Sequence, residues 1–197
     1  MTALSTPSPL SSGEGGGEGI TLDSLRDRLP DYARDLKLNL GTVLTPEGAP
    51  GLDAGQIWSI ALATAIAARN VPLARHIERL ATEHLDEAHL RAAKAAAAIM
   101  GMNNVYYRFL HLVDDAEYQT LPARLRMQIV VGHGIGRDDF ELLSLAVSAV
   151  NGCGLCITSH EKKLRTSGVS REAIQNAVRI AAVIHAVAGT LEFEAAA

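Results

Sequence analysis

The sequence predicts an all-α fold, and three observations predict it. Of the 197 residues, 48% are apolar but only 4% are aromatic, with Trp58 the single tryptophan. The core must therefore be built from Ala, Leu, Ile and Val, small or branched chains that let helices approach closely. Apolar residues recur every three or four positions, and no stretch keeps the in-out alternation of a half-buried strand for long. Capping residues (Ser, Thr, Asp, Asn) precede the apolar segments, and Asn, Gly or Pro close most of them. The length suits one domain with a sizeable core.

Residues 1 to 19 are rich in Ser, Pro, Gly and Glu, with a Gly13-Glu14-Gly15-Gly16-Gly17-Glu18-Gly19 run. Such a segment buries too little apolar surface to offset the entropy of ordering it, so a disordered tail is expected, with the domain spanning 20–197. Thr21 or Asp23 can cap a short helix carrying Leu22, Leu25 and Leu29 until Pro30 interrupts it. A second short segment runs from Tyr32 to Leu40 and stops at Gly41. After a Pro/Gly loop, Asp53 opens an apolar helix to about Arg69, with Asn70 as its stop. Pro72 suits the first position of the next helix, to about His84. Asp86 caps an alanine-rich helix, Glu87 to Met100, which Met100 to Arg108 continues or kinks. Leu121-Pro122 begins a short helix ending near Val131, and Gly132 to Gly136 form a loop. Asp138 starts a helix through Val150 that Asn151-Gly152 breaks. A helix from Cys153 to Thr166 follows, ended by Gly168, and Ser170 caps the last one, to Val187. The order of segments in 53–102 is echoed in 138–188, with Asn70-Val71-Pro72 matching Asn151-Gly152-Cys153.

Eighteen basic and 22 acidic residues give a net charge of −4. The basic residues are scattered, so no nucleic-acid surface is indicated. Apolar runs such as Ala61 to Ala68 and Ile180 to Val187 fall short of the roughly 20 residues of a membrane span. Met1 to Leu10 lacks the basic and apolar parts of a signal peptide, so a cytoplasmic location is expected.

Both cysteines of the chain lie in Asn151-Gly152-Cys153-Gly154-Leu155-Cys156-Ile157-Thr158-Ser159-His160. On a helix Cys153, Cys156 and His160 share a face. Two thiols at this spacing can form a disulfide or bind a metal, and helix-terminal amides favour the thiolate, most of all at Cys153. In a reducing compartment catalysis or metal binding is expected over a structural staple. Glu141 lies twelve residues before Cys153, roughly 18 Å along an unbroken helix. If the chain folds back antiparallel at Asn151-Gly152, Glu141 falls opposite residues 160 to 163, and a Glu, His and Cys proton relay results. Other readings stay open: Glu141 follows Asp138 at capping-box spacing, and His160 heads the polar run Glu161-Lys162-Lys163, which reads as a solvated face. The two cysteines and His160 could serve a non-enzymatic zinc or structural module, with Glu141, His133 or His185 as fourth ligand. His185, amid Ile184, Ala186 and Val187, reads as a packing histidine. His76, His84, His89 and His111 lie in polar helical contexts without a nameable partner.

The segment Asn-Gly-Cys-x-x-Cys-x-x-x-His-Glu, with Phe140-Glu141-Leu142 before it and Leu164-Arg165-Thr166 after, closely resembles the active-site segment of the AhpD alkyl hydroperoxide reductase family. So do Ala96 to Arg108, Leu29 to Leu40, and Val169 to Ala182, so that the resemblance covers essentially Ile20 to Glu192. It implies an all-α fold of duplicated helical units, shared with carboxymuconolactone decarboxylase-like proteins, and a homotrimer. It implies an antioxidant peroxidase and thiol-disulfide oxidoreductase. Electrons would come from dihydrolipoamide bound to a 2-oxo-acid dehydrogenase subunit and pass to the peroxiredoxin AhpC, with no bound cofactor. By the same resemblance Cys156 carries the sulfenic-acid or mixed-disulfide chemistry, Cys153 is proton donor and disulfide partner, and Glu141 and His160 form the relay. Many members have histidine where this chain has Leu155. That departure removes a proton carrier and bears on unaided peroxide turnover, whereas disulfide exchange needs only the thiols.

Overall fold

A computed structural model of the chain describes residues 21–113 and 115–196; the tail expected at 1 to 19 lies outside them. Among the described residues there is no strand, and the fold is all-α. The helices are α1 (Leu22–Asp27), α2 (Arg34–Val43), α3 (Ala54–Ala67), α4 (Val71–Ala81), α5 (Glu87–Val113), α6 (Ala116–Thr120), α7 (Arg137–Val150), α8 (Gly154–Ser167) and α9 (Arg171–Ala195).

Side-chain caps set most of the helix starts. Thr21 and Asp53 form capping boxes with Ser24 and Gln56, while Asn70 accepts the Leu73 N–H and Ser170 that of Ala173. Pro72 falls just inside α4, one position later than its preference for the first, which Val71 takes. Gly168 closes α8 in the left-handed conformation.

Two helices form the centre. Ile57 to Ala65 of α3 are buried without interruption, and so are Phe140 to Ser148 of α7. A helix apolar on all sides must be surrounded; α3 packs against α4, α5, α7 and α9, and α7 against α3, α5, α8 and α9. Alanine makes this crowding possible: Ala61, Ala63, Ala92, Ala93, Ala96, Ala146 and Ala177 are inaccessible to solvent. Leu and Ile side chains between them, such as Ile57, Ile60, Leu73, Ile180 and Ile184, are equally buried, each contributing about 2 kcal/mol of transfer free energy. Helix α9 is long and apolar enough by length and composition to cross a membrane, but half of that stretch is buried in the fold and it packs on α2, α3 and α7 as a core helix.

Several boundaries differ from the sequence reading. Helix α5 runs through Gly101 to Val113, with Asn103 and Asn104 buried past Met100, and α9 continues to Ala195, with Ala188 and Leu191 buried past Val187. Helix α2 passes through Gly41 to Val43. The helix expected at 121–131 is absent. Instead α6 ends at Thr120, residues 122–127 have no regular structure, and a single 3-10 turn covers Gln128–Val130. Pro122 supplies no N–H, Arg124 adopts a positive φ of 52°, and half-buried residues 123, 125 and 127 alternate with exposed ones. The segment therefore runs along the surface as an irregular, half-buried connection.

Helices α3, α4, α5 and then α7, α8, α9 follow the same order of short, short and long. Two of the three starts keep one offset, from Asp53 to Gly136 and from Asn70 to Cys153, 83 positions in each case, whereas Glu87 of α5 and Arg171 of α9 are 84 apart. At the 83-position offset Cys153, not Asn151, matches Asn70, each as the cap of its helix.

Candidate active site

The site begins with a turn. Helix α7 ends at Val150, and Gly152, at φ 68°, reverses the chain before Cys153 caps α8. The turn is held from behind: the Asn151 amide donates to Asn104 Oδ1 at 2.9 Å, and Asn104 Nδ2 donates to Ser148 Oγ at 2.9 Å. Arg108 Nη1 donates to the Asn151 carbonyl at 2.7 Å, and the Cys153 N–H to the Ser148 carbonyl at 3.1 Å. Methyl addition at Gly152 would meet no atom within 4 Å, so Gly152→Ala is expected to cost only the left-handed strain of about 1 kcal/mol. Denaturant unfolding measures it, and a loss several times larger would mean that the turn is crowded.

Cys153 and Cys156 are paired as a disulfide, their Cα atoms 5.3 Å apart. Cys153 Sγ accepts the Cys156 N–H as the cap of α8. The two sulfurs have different surroundings. Cys153 is fully buried, whereas Cys156 is 6% exposed and lines a groove of about 560 Å³. Met100, Asn103 and Tyr107 of α5 form one wall of this groove, Met127, Val130 and Val131 at the 3-10 turn another, and Leu155, Ser159, His160 and Lys163 of α8 the third.

His160, one turn after Cys156, is buried. Its Nδ1 lies 2.5 Å from Glu141 Oε2, and Lys163 Nζ donates to Glu141 Oε1 at 2.9 Å. The antiparallel return at the Asn-Gly turn thus puts Glu141 against residues 160 and 163. Burial pushes the Glu141 carboxyl up, but the hydrogen bonds from His160 and Lys163 outweigh it and hold the group below the ordinary carboxylate value. An ionised carboxylate only accepts, so Nδ1 carries the hydrogen and Nε2 is left as the basic nitrogen of His160.

The open readings now separate. Glu141 is not a capping residue: the cap of α7 is Gly136, with no side-chain bond, and Glu141 is buried. His160 is not on a solvated face, and Lys163 of the same polar run, though exposed, reaches Glu141 with its ammonium group. His133, considered as a fourth metal ligand, stacks on Phe140 at 4.3 Å and accepts the Ile135 N–H. Burial pushes its imidazole below the usual value against the opposing charges of Glu141 and Asp139. His185 is exposed, contrary to the packing role expected of it, because it lies on the outward side of α9. Among the described residues no three His, Cys, Asp or Glu side chains converge to hold a metal. Three of the four polar helical histidines have partners: His76 meets the Thr21 carbonyl, His89 bonds Asp86, and His84 stacks on Trp58.

Comparison with known proteins bears on the whole arrangement. The alkyl hydroperoxide reductase AhpD of Rhodospirillum centenum is 56% identical over 177 residues, 90% of this chain and 94% of the relative. That of Streptomyces coelicolor is 53% identical over 176 residues, 89% and 97% of the two chains. That of Coxiella burnetii is 54% identical over 167 residues, 85% and 94%. The chain belongs to the AhpD family. The Carboxymuconolactone decarboxylase family model matches residues 116–197, the part of this AhpD-family chain that holds Glu141, both cysteines and His160.

Sequence reasoning about this AhpD-family chain missed two parts of the site. Lys163 was hidden because an i+3 lysine after histidine looks solvated until a carboxylate from another helix faces it. The Met127–Val131 wall was hidden because its apolar residues carry no helical or strand partner of their own.

Proposed function

We propose that the protein is an antioxidant thiol-disulfide oxidoreductase that reduces alkyl hydroperoxides through the Cys153–Cys156 pair. The observation that carries this reading is Cys156 at the floor of an apolar groove, on the same helix face as a buried histidine hydrogen-bonded to a carboxylate. His160 Nε2 takes the Cys156 proton, and the Cys156 thiolate attacks the terminal oxygen of the hydroperoxide. The O–O bond breaks, the sulfur becomes a sulfenic acid, and the alkoxide leaves with the proton returned by His160. The Cys153 thiol then displaces water to close the disulfide. Glu141 holds the imidazole in the required tautomer and balances its positive charge; Lys163 holds the carboxylate.

The disulfide is reopened by protein-bound dihydrolipoamide, a long flexible dithiol that suits a groove with apolar walls, and the reduced pair regenerates the peroxiredoxin AhpC. No bound cofactor takes part. Leu155, 41% exposed at the groove, adds apolar surface where a proton carrier would help peroxide chemistry, which favours disulfide exchange as the faster half of the cycle. A homotrimer is supported by an outward apolar stripe on α5: Val105, Phe109, Leu112 and Val113 recur at helical spacing and are all exposed. The protein works in the cytoplasm.

Reconstitution tests the reading. With dihydrolipoamide as reductant, an alkyl hydroperoxide is expected to be consumed, faster when AhpC is present, and peroxide alone should remove both free thiols of the reduced chain. Unchanged thiols together with stoichiometric zinc would replace this reading with the structural metal module.

A further inference from the structure

The segment Met102-Asn103-Asn104-Val105-Tyr106-Tyr107-Arg108 lies on α5, and its polar residues divide between two faces. Asn104 and Arg108, four apart, turn to the back of the Asn-Gly turn and are hydrogen-bonded there. Asn103 and Tyr107, also four apart, turn to the groove that Cys156 and His160 line. The two adjacent asparagines differ in one respect. The Asn104 amide is satisfied at both ends, by Ser148 and Asn151, whereas Asn103 is 6% exposed and its Oδ1 is buried with no hydrogen-bond partner. Ser59 and Ser144 also bear buried hydroxyls without partners, but neither lines this groove.

A buried amide left without a partner costs stability, and buried polar groups are otherwise almost always paired. Replacing it by an apolar chain of the same shape would remove that cost. An amide retained beside a redox thiol is therefore matched to something the groove receives. That occupant must offer strong hydrogen-bonding atoms next to the sulfur. A dithiol does not: its sulfurs are weak donors and acceptors, and any amide of its tether lies several carbons away. A hydroperoxide does, with one O–H donor and two acceptor oxygens at its reactive end. Amide orientation is interchangeable by rotation about χ2, so one end can accept from the terminal O–H while the other donates to the oxygen next to carbon.

We propose that Asn103 is a substrate-binding residue that hydrogen-bonds the –O–O–H group over Cys156. This rests on the hydroperoxide reductase reading above. The Asn103 amide orients the terminal oxygen toward the Cys156 sulfur and donates to the oxygen on which negative charge develops as the O–O bond breaks. The electron pair of the thiolate forms the S–O bond, the O–O pair leaves on the alkoxide, and the His160 proton neutralises it.

Asn103→Leu tests this in the full chain, with thermal unfolding and two separate half-reactions. Oxidation of the reduced protein by an alkyl hydroperoxide is expected to slow by about 30- to 100-fold, reduction of the Cys153–Cys156 disulfide by dihydrolipoamide to stay within about twofold, and the Tm to stay level or rise. Asn103→Gln, which keeps an amide on a longer stem, should recover part of the oxidation rate. Equal losses in both half-reactions would make Asn103 a support for the thiol helix, and an unchanged oxidation rate would remove it from the substrate site; either overturns the proposal while leaving the peroxidase reading intact. A native protein whose thiols resist the hydroperoxide would overturn both.

Discussion

Cys156→Ser is expected to lower hydroperoxide turnover by about a thousandfold or more, to the background rate, while Cys153→Ser should keep the first oxidation and lose the cycle. The asymmetry follows from the surroundings of the two sulfurs. Serine at 156 leaves a hydroxyl that does not ionise near neutral pH, so no nucleophile faces the groove. Cys153 is fully buried behind it and caps α8 through the Cys156 N–H; a peroxide that cannot reach it directly can oxidise it only through Cys156. In Cys153→Ser one equivalent of peroxide should therefore be consumed per chain, and a sulfenic acid should be trapped at 156 by a 1,3-dione, read by mass spectrometry. Without the partner thiol the sulfenic acid persists or oxidises further. A Cys156→Ser protein that turned over peroxide within about tenfold of the native rate would exchange the two roles, as the helix-terminus argument for Cys153 by itself would have it.

The sequence is legible where local backbone chemistry decides the structure and illegible where tertiary packing does. Periodicity and caps identify the principal helices because local backbone chemistry sets them: Thr21, Asp53, Asn70 and Ser170 all cap as their side chains allow. The approach of Glu141 to His160 was also legible, since one glycine-bearing turn between two regular helices leaves a single antiparallel register. The accessibility of the two thiols was not. It depends on the 122–131 segment, whose path is decided by α5 running on to Val113 and by Pro122, and hence by tertiary packing. The same holds for Lys163, whose partner lies 22 residues away on another helix. Asn103 and Asn104 are chemically identical neighbours, and only the packing of α5 between groove and turn tells them apart.

Glu141→Gln is expected to lower hydroperoxide turnover by about a hundredfold and to destabilise the fold by about 1–3 kcal/mol at neutral pH. Glutamine keeps the shape and one acceptor but removes the charge that the His160 and Lys163 donors share. Lys163 then faces a neutral oxygen, and an imidazolium formed at His160 during proton transfer has no counter-charge behind it. The effect should also depend on pH in a defined direction. The folded Glu141 carboxyl is held below the ordinary carboxylate value, so the unfolded chain binds its proton first as pH falls. The stabilisation is complete above the unfolded value and is lost as pH drops through the folded one. His133, held below 6.5 by burial, acts in the same direction from a higher starting point, because acid must charge a stacked, buried ring. Unfolding free energy is thus expected to decline from about pH 6.5 downward and more steeply below about 4.5. Glu78 and Asp86, also held low by Lys94 and His89, contribute to the acid fall in both proteins. The difference between native and Glu141→Gln curves isolates the single carboxylate: a gap that is open at neutral pH and closes as pH drops below the carboxylate range. A gap of constant size across that range would mean that the Glu141 charge does not stabilise the fold, and that its place between His160 and Lys163 serves the proton relay alone.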